Sequence, residues 1–171
     1  MIIIHELHQF EEGLRPAQPS TAHVWDGEKW ELSDDRVAAL QQEETERLCV
    51  NLDAVADSAR TALAGDPLKA LEYAQAAIDA QAYQDAGYPK KEVPLSVAAW
   101  VAKGRSAKQS AEQILDKAAQ LSENLLTLRT LRLKAKSQIR AYASKSQMDQ
   151  ARAAADEALQ AIRQLTANPA P

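Results

Sequence analysis

The sequence has few aromatic side chains, few glycines and a single cysteine. Its 171 residues include one Phe, three Trp and four Tyr, and aromatics make up 5% of the chain. Hydrophobic residues reach 46%, but many are alanines, which suit closely packed, slender helices better than a thick globular core. The five glycines are isolated, so the chain has no Gly-rich phosphate-binding loop. This composition favours a mainly helical protein.

The lone Cys49 excludes an internal disulfide and fits a reducing compartment. We expect it to pack as a small hydrophobic residue beside a buried stripe. The apolar run at residues 2–4 has no basic flank and no apolar continuation, so it reads as neither a signal peptide nor a membrane span. These features predict a protein of the cytoplasm.

Catalytic and metal-binding patterns are also missing. The histidines, His5, His8 and His23, lie in the first 23 residues, far in sequence from Cys49. No serine or cysteine nucleophile is placed with a base and an orienting acid. On a strand, His5 and His8 would point to opposite faces, which disfavours a shared metal ion. We therefore predict no enzyme activity, no metal site and no cofactor.

The net charge of −4 hides a strong asymmetry between the two halves of the chain. Residues 1–86 carry 17 acids and 6 bases, a net charge of −11, whereas residues 87–171 carry 7 acids and 14 bases, a net charge of +7. One interpretation is attraction between the halves; the other is a basic surface for an acidic partner. Nucleic acid is a poor candidate, because over the chain as a whole the bases are interspersed with acids.

Residues 1–32 predict a small β head. The β-branched run Ile2–Leu7 favours a strand, and Gly13, Pro16 and Pro19 predict a loop or extended linker after it. Asp26-Gly27 predicts a tight hairpin turn between two arms that each carry a tryptophan. So few strands need support from the helices, from a second copy or from another protein.

Residues 33–167 predict a helical body. We expect helices from Ser33 to about Ala64, from Asp66 to Gly87, from Leu95 to Lys103, from Ser106 to about Ala143, and from Met148 to about residue 167. A proline-containing linker near 87–95 interrupts the body, and residues 168–171 predict a disordered tail. The predicted fold is mainly α, a small β hairpin head followed by a bundle of long antiparallel helices.

The fourth predicted helix carries a long apolar stripe with spacings of three and four, typical of a scaffold that packs against partner helices. Its members are Ala107, Ala111, Ile114, Ala118, Leu121, Leu125, Leu128, Ala135, Ile139 and Tyr142. The Leu121–Leu125–Leu128 seam fits either the first helix or the same seam of a second copy, so a homodimer is one possibility. On the second helix we expect the apolar side at Leu68, Leu71, Ile78, Ala82 and Tyr83.

Six residues are candidates for binding a partner. Tryptophans either fill core space against the helices or anchor an interface, since each supplies a large contact area. Arg129 belongs to a basic segment that is either a solvated face or a docking surface for an acidic partner. Arg132 falls on the apolar stripe and needs an acid opposite it, from the first helix or another chain. The full set is Trp25, Trp30, Tyr88, Trp100, Arg129 and Arg132.

Two segments resemble a known family. Ala22-His23-Val24-Trp25-Asp26-Gly27-Glu28-Lys29-Trp30 resembles the Trp-Asp-Gly-x-x-Trp segments of phage tail-fibre assembly proteins. A later run is similar to a helical region in tail proteins of phages and phage-derived bacteriocin particles. It runs from Leu68–Tyr73 through Ala86–Pro89, and then includes Val93-Pro94, Trp100, Ser106–Ala111 and Leu128–Lys134. Together the two segments span residues 22–134, about two thirds of the chain.

The resemblance implies a tail-fibre chaperone, which binds a newly made fibre through its C-terminal part and assists folding and trimerisation in the bacterial host cytoplasm. The head tryptophans would contact the fibre while the helices provide rigidity or dimerise. An alternative is a structural tail or baseplate component, retained in the mature particle through coiled-coil contacts. Neither function involves nucleic acid, a membrane or a cofactor.

Overall fold

The computed structural model describes residues 7–10, 13–101 and 104–167. The protein is mainly α, 72% helical, with two short β hairpins before the helices. In this part of the chain the helices are α1 (Asp34–Ala64), α2 (Pro67–Asp85), α3 (Leu95–Ala99), α4 (Ala107–Ala143) and α5 (Met148–Ala167). The strands are β1 (Leu7–Phe10), β2 (Gly13–Pro16), β3 (His23–Trp25) and β4 (Trp30–Leu32). The predicted fold class is confirmed.

Side chains cap the starts of α1, α2 and α4. Ser33 accepts a hydrogen bond from the Arg36 amide at the start of α1, and the Asp66 carboxylate accepts two amide hydrogen bonds before α2. At α4, the Ser106 and Gln109 side chains each accept a hydrogen bond from the other residue's amide, which forms a capping box. These side chains satisfy amides that the first helical turn leaves unpaired.

The C-terminal half of α4 packs with α1 and α5 as a three-helix bundle. Pairing of Asp53 with Arg132, and of Gln41 with Ser146, places α1 antiparallel to α4. Cys49 is buried in this bundle, as expected. Its buried cluster comprises Cys49, Leu52, Ala56, Ala59, Leu128, Ala135, Ile139, Met148, Ala151, Ala155, Ala158, Leu159 and Ile162.

The N-terminal half of α4 packs with α2 and α3 around a second, smaller cluster. Its buried members are Ala80, Tyr83, Val97, Ala111 and Ile114. Every residue of the predicted α4 stripe is buried or half-buried, so the stripe is confirmed. Leu128 is fully covered within the chain, whereas Leu121 and Leu125, between the two clusters, are only half-buried.

The head consists of two antiparallel hairpins. The prediction of a loop or extended linker is wrong at Gly13–Pro16, because these residues form β2 and pair with β1. Pro16 is tolerated because it ends a strand of a two-stranded sheet, where a missing amide removes no central ladder bond. Between β3 and β4, Trp25 pairs with Trp30, so the hairpin loop spans 26–29 and is wider than the predicted tight turn.

The Asp26 side chain sets the conformation of this wider loop. Its Oδ1 accepts hydrogen bonds of 2.8 Å from the Glu28 and Lys29 amides, and Gly27 takes a φ of 115°. These amide bonds lower the pKa of Asp26. Asp26 and Gly27 therefore stabilise the hairpin, as the carboxylate of Asp26 accepts the amide hydrogen bonds and Gly27 alone supplies a positive φ.

Several predictions fall at the margins of the described residues. Most of the predicted strand Ile2–Leu7, His5 and the predicted tail 168–171 lie outside them. Helix α3 ends at Ala99, four residues before the predicted Lys103, and Ala102 and Lys103 are also outside. None of the described helices is long and apolar enough to cross a membrane.

Candidate partner-binding surfaces

Trp30 is the centre of an aromatic cluster that joins the two head hairpins. Its ring lies 5.4 Å from the rings of both Phe10 and Trp25, and its Nε1 donates a 2.7 Å hydrogen bond to the Pro16 carbonyl. The Arg15 guanidinium lies 5.8 Å from the centre of the Phe10 ring and 5.2 Å from that of Trp25. Edge-to-face ring pairs and cation–π contacts of this kind each stabilise by about 0.5–1.5 kcal/mol.

Trp25 and Trp30 therefore hold the head together. We expected them either to fill space against the helices or to anchor an interface, and in the described residues their ring partners belong to the head itself. Both rings remain half-buried, so part of each stays accessible. Phe10 and Arg15 could not be recognised as partners from the sequence, because the hairpin of β1 and β2 was not predicted.

The head exposes three large hydrophobic residues, and its described strands are incompletely paired. Leu14, Val24 and Leu32 are exposed large hydrophobic residues. Each described sheet has two strands, which leaves one edge of every strand without a strand partner. The head connects to α1 through a 3.0 Å hydrogen bond from the Ser33 amide to the Ala22 carbonyl. Open strand edges with apolar side chains are suited to pairing with another chain.

Trp100 lies where α3 meets α4, in a second aromatic group. Its ring is 6.4 Å from that of Tyr73 on α2 in an edge-on arrangement, and its Nε1 donates to Gln113 Oε1 at 3.3 Å. Lys117 Nζ lies 5.7 Å from the centre of the same ring. Trp100 thus links three helices and stays partly exposed.

Tyr88 is held in a left-handed backbone conformation, with a φ of 57°. This conformation is unfavourable for a residue with a bulky side chain. The ring packs edge-on against Tyr83 at 5.3 Å, and Lys108 Nζ lies 5.2 Å from its centre. The Tyr88 hydroxyl accepts a hydrogen bond from Gln84. These contacts show Tyr88 fixing the turn between α2 and α3.

Arg132 forms an ion pair within the chain. Its guanidinium donates to Asp53 Oδ1 at 2.9 Å, and Lys136 donates to the other oxygen of the same carboxylate. The Lys136 hydrogen bond, followed by that of Arg132, lowers the pKa of Asp53 against the opposing effect of burial. Of the two expected sources for this acid, the first helix is the one found. Arg129, three residues earlier, is exposed.

A second ion pair joins α1 to α5. Glu44 of α1 accepts two hydrogen bonds of 2.8 and 2.7 Å from the Arg152 guanidinium. This bidentate contact lowers the pKa of Glu44. At Asp53 and Glu44, acids of the negative half pair with bases of the positive half. Attraction between the halves therefore accounts for part of the charge asymmetry.

The face of α2 that we expected to be buried is largely exposed. Leu68, Leu71 and Ile78 are 72%, 69% and 63% exposed. Helix α2 instead buries the face that carries Ala80 and Tyr83. The predicted apolar side of α2 was therefore wrong except at Tyr83, because the small alanines of the face that is buried give a weak signal in the sequence. The regular spacing of these alanines was the only sequence signal for that buried face.

The candidate residues do not form one site. Trp25 and Trp30 belong to the head cluster, Tyr88 and Trp100 to the α2–α3–α4 region, and Arg132 to the three-helix bundle. His23 contacts Ser20 through a 2.9 Å hydrogen bond, and His8 is exposed. Within the described ranges, no group of three His, Cys, Asp or Glu side chains is arranged to hold a metal ion.

No protein-family model, curated protein or solved structure matches this chain.

Proposed function

We propose that this chain is an assembly chaperone for a phage-type tail fibre. It binds the newly made fibre near its C-terminal part and holds it until the trimer forms. The proposal rests on the resemblance of residues 22–30 to tail-fibre assembly proteins. The structural observation that carries it is the head, where the described strands have edges without a strand partner among the described residues and three large apolar side chains are exposed.

The structure of the proposed partner, a newly made tail-fibre chain, explains why such a head is useful. A fibrous β trimer has unpaired strand edges until all three chains are in place, and such edges aggregate when uncovered. The open edges of the head's short hairpins pair with them temporarily, while Leu14 and Val24 cover neighbouring apolar side chains. This task makes and breaks no covalent bond, so we assign no catalytic residue and no cofactor.

The helical body supports the head in this proposal. Helix α1 begins directly after β4, and its other contacts are with α4 and α5, which gives the head a rigid base. The body also provides a surface through which two copies pair. The site of action is the cytoplasm of the bacterial host, where the fibre chains are made.

Co-expression with the fibre protein from the same gene neighbourhood tests the proposal. The double variant Leu14→Lys/Val24→Lys places charge on the exposed head surface without touching the Phe10–Trp30 contact. We expect the yield of soluble trimeric fibre to fall about tenfold, because charged side chains oppose apolar docking and edge pairing. Native gel electrophoresis of the fibre measures the yield.

The matched control is Val50→Lys/Leu95→Lys, which adds the same two charges at exposed apolar residues of α1 and α3. It should leave the fibre yield unchanged. Equal yields from the head variant and the wild type would remove the head from the mechanism, as would full recovery of trimer with residues 1–32 deleted. Tryptophan fluorescence of each purified variant checks that the aromatic cluster of the head is intact.

A permanent structural role in the tail or baseplate is the second candidate. The observation that favours it is the exposed apolar stripe of α2, since seven residues separate Leu71 from Ile78 as in a coiled coil. The two candidates differ in one measurable property. Purified mature particles retain a structural component, whereas a chaperone is absent from them, and quantitative mass spectrometry of particles distinguishes the two.

A further inference from the structure

Helix α2 exposes an apolar face that is shaped for another helix. Leu68, Leu71, Gln75, Ile78 and Ala82 follow one another at spacings of three and four, and all five are exposed. This repeat places them along one side of the helix. We refer to these five residues as the α2 stripe. An apolar surface of this kind commonly marks a protein interface.

The surroundings of the α2 stripe are acidic. Residues 67–86 contain three acids, Glu72, Asp79 and Asp85, and one base, Lys69. Asp79 accepts hydrogen bonds from Ser96 Oγ at 2.6 Å and from Gln75 at 2.8 Å, which lowers its pKa and keeps it charged. Two α2 stripes laid against each other would bring acids close to acids. Like charges across a helix pair are unfavourable, so the stripe fits a basic partner better than itself.

The same chain carries a basic surface of matching form. Residues 124–143 contain five bases and no acid. On the outer side of α4, Leu126 and Leu133 are exposed and seven residues apart, and Arg129 and Arg140 are exposed beside them. We refer to these four residues as the α4 outer face. Arg132 and Lys136 turn inward to Asp53, so they do not contribute to it.

We propose that the α2 stripe of one copy packs against the α4 outer face of a second copy. Helix α2 lies beside the N-terminal half of α4, and the outer face is in the C-terminal half. Two molecules with antiparallel α4 helices therefore bring each α2 opposite the basic segment of the partner. A twofold axis makes the contact twice, which doubles the buried area and satisfies both exposed surfaces.

The charges make the pairing specific. Glu72 and Asp85 of one copy face Arg129 and Arg140 of the other, and the leucines and Ile78 form the apolar centre. The acidic flanks exclude pairing of two α2 helices, and the bases exclude pairing of two α4 outer faces. This dimer forms whether or not the head binds a fibre, so its test is independent of the proposed function.

Charge reversal tests the dimer in the full chain. Glu72→Lys/Asp85→Lys reverses the α2 side, and Arg129→Glu/Arg140→Glu reverses the α4 side, all at exposed positions. We expect sedimentation equilibrium to give a dimer for the wild type and a dissociation constant at least about tenfold higher for either double variant. Combining all four substitutions restores complementarity and should return the constant to within about threefold of the wild type.

The control reverses exposed charges outside both surfaces, with Glu43→Lys/Lys145→Glu, and should leave the dimer unchanged. Circular dichroism of each variant verifies that the helices are intact. A monomeric wild type at about 100 μM overturns the proposal. So does a dimer that is insensitive to reversal of either side, or one weakened by the α2 reversal alone.

Crosslinking locates the contact directly. In a Cys49→Ala background, protein carrying Leu71→Cys is mixed with protein carrying Leu133→Cys and treated with a short bismaleimide. We expect crosslinked dimer from the mixture and little from either protein alone. Efficient crosslinking of the Leu71→Cys protein with itself would show two α2 helices in contact and would overturn the proposed pairing.

Discussion

Ser110 places a polar side chain in a buried environment. It is fully buried in the α2–α3–α4 cluster, and its Oγ has no hydrogen-bond partner among the described residues. Burial of an unpaired hydroxyl is unfavourable by about 1–3 kcal/mol. The Ser110 hydroxyl therefore lowers the stability of the fold, so stability alone does not explain its presence.

Replacement of this hydroxyl should stabilise the protein. We expect Ser110→Ala to raise the free energy of unfolding by about 1–2 kcal/mol, because the substitution removes the unpaired oxygen and favours the helix. Urea denaturation followed by circular dichroism measures the change. The control Ser137→Ala lies on the exposed side of the same helix and should gain only about 0.5 kcal/mol, from helix propensity. Equal effects of the two substitutions would contradict the prediction.

At the scale of single elements, ion pairs bind α1 to α4 and α5 in addition to apolar packing. Asp53 binds Arg132 and Lys136 of α4, and Glu44 binds Arg152 of α5. Both carboxylates have pKa values below their ordinary values of 3.8 and 4.5. A lowered pKa in the folded state means that these contacts stabilise the bundle above the ordinary pKa and are lost as the pH falls below it.

We therefore predict acid destabilisation that depends on these two carboxylates. The wild-type free energy of unfolding should be constant above about pH 5 and fall as the pH decreases through 4. At pH 7, Asp53→Asn/Glu44→Gln should destabilise by about 1–3 kcal/mol, a partial effect because the groups are only half-buried. The same variant should show a smaller decrease between pH 5 and pH 3. Urea titrations across this range measure both effects, and Glu43→Gln should behave as the wild type.

The elements also show what the sequence can and cannot predict. Caps and periodic apolar residues are local signals, so the bounds of α1 and α4 were predicted to within a residue. Strand β2 was missed because pairing with β1 is not a property of its own four residues. The apolar pattern of α2 was visible, but which of its two faces a neighbour covers depends on contacts distant in sequence. For the same reason the separate locations of Trp30, Trp100 and Arg132 were not predictable.

At the scale of the whole molecule, α4 connects two apolar clusters. Ile114 belongs to the cluster with α2 and α3, and Ile139 to the three-helix bundle. Between them, Ala118, Leu121 and Leu125 are only half-buried. Sparse packing between two clusters allows each to open with its own free energy.

The matched substitutions Ile114→Ala and Ile139→Ala test this independence. Each should destabilise by about 2–5 kcal/mol, since each removes buried side-chain volume on the same helix. Hydrogen exchange followed by mass spectrometry should show faster exchange in α2 and α3 for Ile114→Ala. For Ile139→Ala it should show faster exchange in α1 and α5. Uniform acceleration across all five helices by both variants would indicate a single cooperative unit instead.

Helix α4 also sets a fixed distance within the molecule. Ala22 of the head shares a shallow surface cleft with Ser146 and Met148, just beyond one end of α4, whereas Trp100 contacts Gln113 and Lys117 near the other end. With a rise of 1.5 Å per residue, roughly 45 Å along the axis of α4 separate the position of Ala22 from that of Trp100. A ligand touching both the head and Trp100 must be at least that long, so a short peptide can engage one end only and an extended rod can engage both.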